Sequence, residues 1–352
     1  MNEVKLLLHE SPIKVYSNYA YMLSVLLNQE EAFEWFYSNF IQVKYIRETE
    51  DCRFIFNYSL GNLTKYFYNL PYLKVRSLDR DFMLKYCGDI IEFLSHALKN
   101  RYYIVTVVDN YFIPMKNEYN NRHNLHLIML YGFSQQKKCF YSMGYDNGFY
   151  QESQINFLDF CQAITSMEGK NIHVRDDYCM MYKLQDKNEL VYPQENFNYF
   201  PYRFNKKFVK RSLEEYYDST CSDEHFCTFY TVPDNAEYGI SYYDAMIEYV
   251  KKFVNGIYKD KLYIICFHGM LEHKEIMLQR IKFMQDKHFI GISDDIIKEY
   301  ERLVTQAKIV RNYAIKYNLT MNVEMLNKMI GLLNDMYLSE KSVIKKLIYM
   351  MD

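Results

Sequence analysis

Residues 109–146 read Asp109-Asn-Tyr-Phe-Ile-Pro114, then Asn121-Arg-His-Asn-Leu-His-Leu-Ile-Met-Leu-Tyr-Gly-Phe133, then Cys139-Phe-Tyr-Ser-Met-Gly-Tyr-Asp146, the one compact gathering of His, Asp, Gly and Pro in the chain. Residues 125–133 alternate with a period of two, placing His126, Ile128 and Leu130 on one face and Leu127, Met129 and Tyr131 on the other, the pattern of a strand. Residues 134–137 are polar and turn-like, and residues 138–146 return as a second aromatic run, so the two segments are expected to pair as an antiparallel hairpin. A loop centred on position 136 sets His126 opposite Asp146. Directly opposed residues have Cβ atoms about 4.5–5.5 Å apart, within reach of an imidazole–carboxylate hydrogen bond. A one-residue change of register would put Tyr145 there instead. An imidazole oriented by a carboxylate supplies two thirds of a machinery for nucleophilic acyl transfer, and it equally suits a strand histidine that serves only the core.

On either side of the hairpin the pattern is α+β. Residues 101–108 are β-branched and aromatic, a strand that delivers Asp109 at its end, and Pro114 breaks the chain after it. Upstream, Tyr19, Met22, Leu23 and Leu26 recur at helical spacing, predicting a buried helix from near Ser17 with Ser17 or Asn18 as its N-cap. Helix N-termini offer free N–H groups and a positive dipole end, a setting that suits a nucleophile, although Ser17 reads equally as a plain cap. Residues 30–37 with Trp35, 81–98 and 151–167 read as helices, the last with Phe157, Phe160, Cys161 and Ile164 inward, and residues 178–184 as a strand. Residues 45–73 carry no clear signal, and residues 186–204 look like a connection. Beyond them residues 207–217, 242–258, 263–289, 293–317 and 323–351 are helical in period, with Ser241-Tyr-Tyr-Asp244 as a capping box. The expected organisation is therefore an antiparallel-sheet domain over residues 1–185, a connection over 186–206 and an all-helical domain over 207–352.

Composition narrows the function classes. The 352 residues allow one large or two ordinary domains, and 42 basic against 44 acidic side chains give no general attraction to nucleic acid or an anionic membrane. No apolar run approaches about 20 residues, and the first residues do not resemble a signal peptide. Eight widely spaced cysteines suit free thiols, so a cytoplasmic protein is expected. The 37 Tyr and 24 Phe are spread along the whole chain, as core filling rather than an aromatic binding box. Gly132, Gly144 and Gly148 do not precede a helix, which disfavours nucleotide binding. Cys221, His225 and Cys227 lack a second pair of ligands nearby; His268 and His273 fall on different helix faces; and His123, His126, Asp109 and Glu118 match no metal signature. No metal or cofactor is expected.

The order Asp-x-Tyr-Phe-x-Pro (109–114), His-x-x-His (His123, His126), Tyr-Gly-Phe (131–133) and Asp146 with Gly148 and Tyr150 resembles the N-terminal domain of the butirosin-biosynthesis H-type acyltransferases. These are papain-like proteins, similar also to the bacteriocin-leader peptidases and often associated with nonribosomal peptide or polyketide assembly. The resemblance covers roughly residues 8–185. It implies a papain-like fold and transfer of an acyl or peptidyl group from a carrier-protein phosphopantetheine thioester to an amine, with a carrier protein, an amine acceptor and a protein partner or second copy as partners. It implies His126 as base, Asp146 as its orienter, and a cleft shaped by Val15, Asn18, Asp109 and His123. The family's nucleophilic Cys does not carry over, because Val15-Tyr16-Ser17-Asn18 stands where relatives show a Cys-Tyr-x-Asn-like start, and no cysteine precedes Cys52. Three readings stay open: Ser17 as nucleophile, direct aminolysis with no acyl-enzyme, or a catalytically silent scaffold of a biosynthetic complex. A cysteine peptidase using Cys52 is weaker, since Glu50 and Asp51 beside it raise a thiol pKa.

Overall fold

The computed structural model describes residues 2–47, 53–56, 70, 72–166, 178–185, 203–226 and 235–352. The chain is α+β and divides into two compact units, Met1–Ala32 with Thr64–Pro201, and Phe33–Leu63 with Tyr202–Asp352. The division is not the contiguous one expected at residues 186–206: residues 33–63 leave the N-terminal unit and cluster with the helical one. The connection itself lies largely outside the described residues.

The first unit is an antiparallel sheet clasped by helices. Its strands are β1 (Glu3–Lys5), then β4 (Leu73–Asp79), β5 (Tyr103–Asp109), β6 (Leu125–Ser134), β7 (Cys139–Asp146), β8 (Phe149–Asn156) and β9 (Tyr178–Leu184). They lie in the order β4-β9-β5-β6-β7-β8, with β1 antiparallel to the far end of β6. Ile104 and Val108 of β5 and Ile128 and Leu130 of β6 point into one core with Met83 of α3 (Arg80–Tyr86), Leu94 and Leu98 of α4 (Ile90–Lys99), and Phe160 and Ile164 of α5 (Phe157–Thr165). Helix α1 (Ser17–Leu26) is buried from Tyr19 to Leu26 and lies against β6 and β9 across β5. It contributes nothing to that core, so it covers the other face, where Val105, Val107 and Met129 are buried.

Three local expectations change. Residues 81–98 form two helices rather than one, because Gly88 takes φ +67° and the Asp89 side chain then accepts from the N–H groups of Ile91 and Glu92, starting α4 afresh. Residues 151–167 are not one helix. Asn147 (φ 52°) and Gly148 (φ 81°) make a two-residue turn, β8 returns along all of β7, and the Asn156 side chain caps α5 only afterwards. Helix α1 has Tyr16, not Ser17 or Asn18, at its N-cap, with no side-chain hydrogen bond there.

The second unit combines a small sheet, β10 (Ala236–Tyr238), β2 (Val43–Ile46) and β3 (Arg53–Phe56) in that order, with helices. These are α2 (Ala32–Ser38), α6 (Lys206–Tyr217), α7 (Tyr242–Val254), α8 (Ile265–Asp286), α9 (Asp294–Thr320) and α10 (Val323–Met350). It is thus not all-helical; β3 packs on α8, where a Cβ on Gly269 would come within 3.0 Å of the Phe54 ring. The expected capping box is absent as well: Ser241 is already α-helical in backbone, and its hydroxyl bonds the Tyr238 carbonyl (2.7 Å) and Glu237 (3.2 Å) instead of capping α7. No helix among the described residues is long and apolar enough to cross a membrane.

Candidate functional site

The site grows from the end of the sheet where β5 stops, β6 starts and β7 stops. Asp109 closes β5 opposite Leu125, and Val108 lies opposite His126. Asp109 is fully buried, and its Oδ1 accepts the backbone N–H groups of Tyr111 (3.1 Å) and Asn124 (3.2 Å). Its Oδ2 is 2.6 Å from Nδ1 of His123, whose side chain is 60 % exposed. The imidazole also stacks on Tyr111, with ring centroids 4.4 Å apart. A carboxylate can only accept from Nδ1–H, which leaves the Nε2 lone pair for a proton from solvent or substrate. This is the arrangement of a base and its orienter: a buried carboxylate pinned by two backbone donors, and an exposed ring fixed in direction and tautomer by it.

The expected pair, His126 with Asp146, does not form. The β6–β7 register is the one read from the sequence at Met129↔Met143 and Leu130↔Ser142, before an irregularity beyond Leu130, but the ladder ends at Met129–Met143. Below that point β6 stays with β5 and β7 stays with β8, so the hairpin strands open as a fork. Side chains take over the ladder's carbonyls. Tyr21 of α1 donates its hydroxyl to the Leu127 carbonyl at 2.9 Å, and Lys116 Nζ donates to the Tyr145 carbonyl at 2.8 Å. His126 Nδ1 also bonds the Leu127 carbonyl, at 3.0 Å, which makes Nδ1 the donor. Asp146 meets Lys116 instead of His126, with Nζ 2.5 Å from Oδ1, both side chains almost wholly buried. Despite that distance neither Asp146 oxygen accepts an aligned hydrogen bond among the described residues. The contact is therefore an ion pair without directional bonding. A hydrogen-bonded register alone could not foresee this, because the wedge comes from a loop residue and a helix tyrosine remote in sequence.

Gly144 makes the fork roomy enough for both wedges. A Cβ there would sit 3.3 Å from the Tyr21 hydroxyl and 3.4 Å from Lys116 Nζ. Tyr145 and Tyr150 add a tyrosine wall, their rings 5.4 Å apart, and Tyr150 is 6.1 Å from Tyr21. Burial pushes the Tyr21 hydroxyl well above its usual range, with Tyr150, Tyr145 and Asp146 adding to the effect, so it stays a proton donor.

Ser17 is the first residue of α1 and half-buried, with Val15 and Asn18, also half-buried, on either side of it. Helix α1 runs alongside β6 in the same direction. Tyr21 reaches Leu127, while Asn28, just past the helix, bonds the carbonyl of Leu7, whose neighbour Leu6 bonds Tyr131. The N-terminal end of α1 is therefore directed towards the end of the sheet that carries His126, Asp109 and Asp146. Glu118 is absorbed locally, bonding Asn124 (3.2 Å) and Asn110 (3.4 Å). Cys52 and Cys227 lie outside the described residues. Among the described residues no group of three His, Cys, Asp or Glu is placed to hold a metal ion. Lys116 and Tyr21 are the site residues that sequence reading missed. Tyr21 lay in plain view as a helix position four residues after Ser17, but nothing in the spacing of Lys116 marks it.

Neither a protein-family model nor a curated protein matches the chain. The chemistry must rest on the geometry of the site.

Proposed function

We propose that the N-terminal unit is an amide-forming acyl or peptidyl transferase of specialised metabolism that acts by direct aminolysis of a carrier-bound phosphopantetheine thioester. The observation that carries this reading is the Asp109–His123 pair, a buried orienter 2.6 Å from an exposed imidazole. The amine nitrogen attacks the thioester carbonyl, the C–S bond breaks, His123 Nε2 takes the amine proton, and that proton passes to the departing thiolate. Val15 offers no lone pair at the position where the resembling family has its nucleophile, which favours a route with no acyl-enzyme. The N-terminal end of α1, Ser17 included, points towards the same end of the sheet, so its positive dipole end would favour a developing oxyanion there.

The test mixes the protein with a panel of acyl-phosphopantetheine thioesters and primary amines, following thioester loss and intact protein mass. Amine-dependent loss without an acyl adduct, reduced at least about 100-fold in His123→Gln, is expected. An adduct that disappears in Ser17→Ala would overturn direct aminolysis in favour of a serine nucleophile.

A second reading, a catalytically silent papain-like partner protein, is favoured by the locking of Asp146 onto Lys116. Thioester consumption no faster than in the absence of protein across the panel would favour that reading over the transferase, whereas consumption unchanged in His123→Gln would overturn His123 as the base.

A further inference from the structure

The fork between β6 and β7 holds a cation that neither strand supplies. Lys116 sits on the connection between β5 and β6, in a turn closed by its N–H to the Ile113 carbonyl at 3.0 Å, and its ammonium enters the fork. There it gives one aligned hydrogen bond, to the Tyr145 carbonyl, and approaches Asp146 without aligning on either oxygen. A buried carboxylate left without a directed donor is costly, and the stem of Lys116 fixes the axis along which its ammonium approaches, although the N–H groups themselves rotate. A free alkylammonium can choose that axis and so direct its N–H groups onto the Tyr145 carbonyl and the Asp146 oxygens together.

We infer that this fork is a binding subsite for a primary ammonium group and that Lys116 is its internal occupant, displaced when a substrate amine enters. The walls fit that ligand: Tyr21, Tyr145 and Tyr150 surround it, Gly144 leaves its floor open, and His126 stands beside it on the Leu127 carbonyl that Tyr21 shares. Lys116 and His123 lie on the same connection between β5 and β6. That the ligand is the acceptor amine of acyl transfer rests on the proposed function; the subsite itself does not.

The test is thermal and needs no turnover. Lys116→Ala is melted with n-butylammonium chloride, which replaces the lost side chain, against equal ionic strengths of sodium chloride and of tetramethylammonium chloride, which has no N–H. A saturable rise in Tm of about 3–5 °C with n-butylammonium alone, absent in Lys116→Ala/Asp146→Asn, is expected. Equal shifts with tetramethylammonium, or a shift that survives Asp146→Asn, would overturn the subsite. Should Lys116→Ala fail to fold, Lys116→Met with methylammonium is read by the same criteria. Loss of the thermal effect with His123-dependent aminolysis intact would sink the subsite and leave the transferase standing; the reverse result would do the opposite.

Discussion

Two buried lysine–carboxylate pairs, one in each unit, are built to opposite standards. In the second unit Lys274 of α8 and Glu340 of α10 are fully buried and 2.7 Å apart. The three donors of Lys274 find three acceptors: Glu340, the Tyr216 hydroxyl (3.0 Å) and His273 Nδ1 (3.0 Å). Glu340 in turn accepts from Tyr300 (2.6 Å) on one oxygen and Tyr243 (2.7 Å) on the other. His273 completes the network by donating Nε2–H to the Ile41 carbonyl at 2.8 Å. About two turns beyond His273 along α8, Arg280 closes the carbonyls left at the end of α2, bonding Tyr37 (2.8 Å) and Phe40 (3.2 Å). In the first unit Lys116 and Asp146 are as close and as buried, yet among the described residues Asp146 accepts no aligned hydrogen bond and the Lys116 ammonium donates an aligned one to the Tyr145 carbonyl alone. A satisfied buried network locks helices together; an unsatisfied one marks a place where an interaction is still to be made. The two pairs thus differ in how fully their hydrogen-bonding capacity is met.

The largest break in that comparison is expected from Glu340→Gln. It leaves Lys274 charged and buried among tyrosines, and costs about 3–5 kcal/mol in urea denaturation. Close behind in free energy, His123→Gln should slow thioester aminolysis by about 100- to 1,000-fold while moving the urea midpoint little, because the ring is 60 % exposed. Asymmetry between the pairs can be read directly from neutral swaps. Lys116→Met/Asp146→Leu should change stability by less than about 1.5 kcal/mol, whereas Lys274→Met/Glu340→Leu should cost more, since it strands the hydroxyls of Tyr216, Tyr243 and Tyr300. Equal losses from the two swaps would remove the distinction.

A smaller effect depends on pH. Burial, with Lys274 and Arg280 nearby, holds the His273 imidazole well below its ordinary 6.5, against a weaker opposing pull from the Ile41 carbonyl. Below pH 6.5 the unfolded chain therefore binds a proton that the folded chain refuses, so stability falls as pH drops from 6.5, by up to about 1.4 kcal/mol per unit, and is flat with respect to this group above it. His273→Asn should lose that slope between pH 6.5 and 5 in urea titrations. The smallest expected effect is Ser241→Ala, about 0.5–1 kcal/mol in urea denaturation, from loss of the hydroxyl's bonds to the Tyr238 carbonyl and Glu237 rather than of a cap on α7.

Much of the fold was legible because it rests on local periodicity. The strand at residues 125–133, the buried helix from Ser17, the Asp109 strand end and all five later helices follow from apolar spacing that burial enforces. What was misread had competing local signals. Residues 81–98 and 151–167 look helical in aggregate, but Gly88 with Asp89 and Asn147 with Gly148 are turn chemistry that overrides a loose amphipathic pattern. The Asn-Gly step was available in the sequence as a hairpin signal, and it explains why β8 exists. Ser241-Tyr-Tyr-Asp244 shows the converse: a matching motif whose serine already has helical backbone makes no side-chain cap.

The sequence by itself determined that Asp109, His123, His126 and Asp146 gather near one end of an antiparallel sheet, since register and strand polarity are encoded by alternation and loop length. Which carboxylate serves which imidazole was decided only in three dimensions. The backbone N–H groups of Tyr111 and Asn124 aim Asp109 at His123, and Lys116 and Tyr21 enter the fork and hold Asp146 apart from the role its register suggested. Pairing in a sheet is a one-dimensional rule, whereas a buried charge takes whichever donor the packed interior delivers to it.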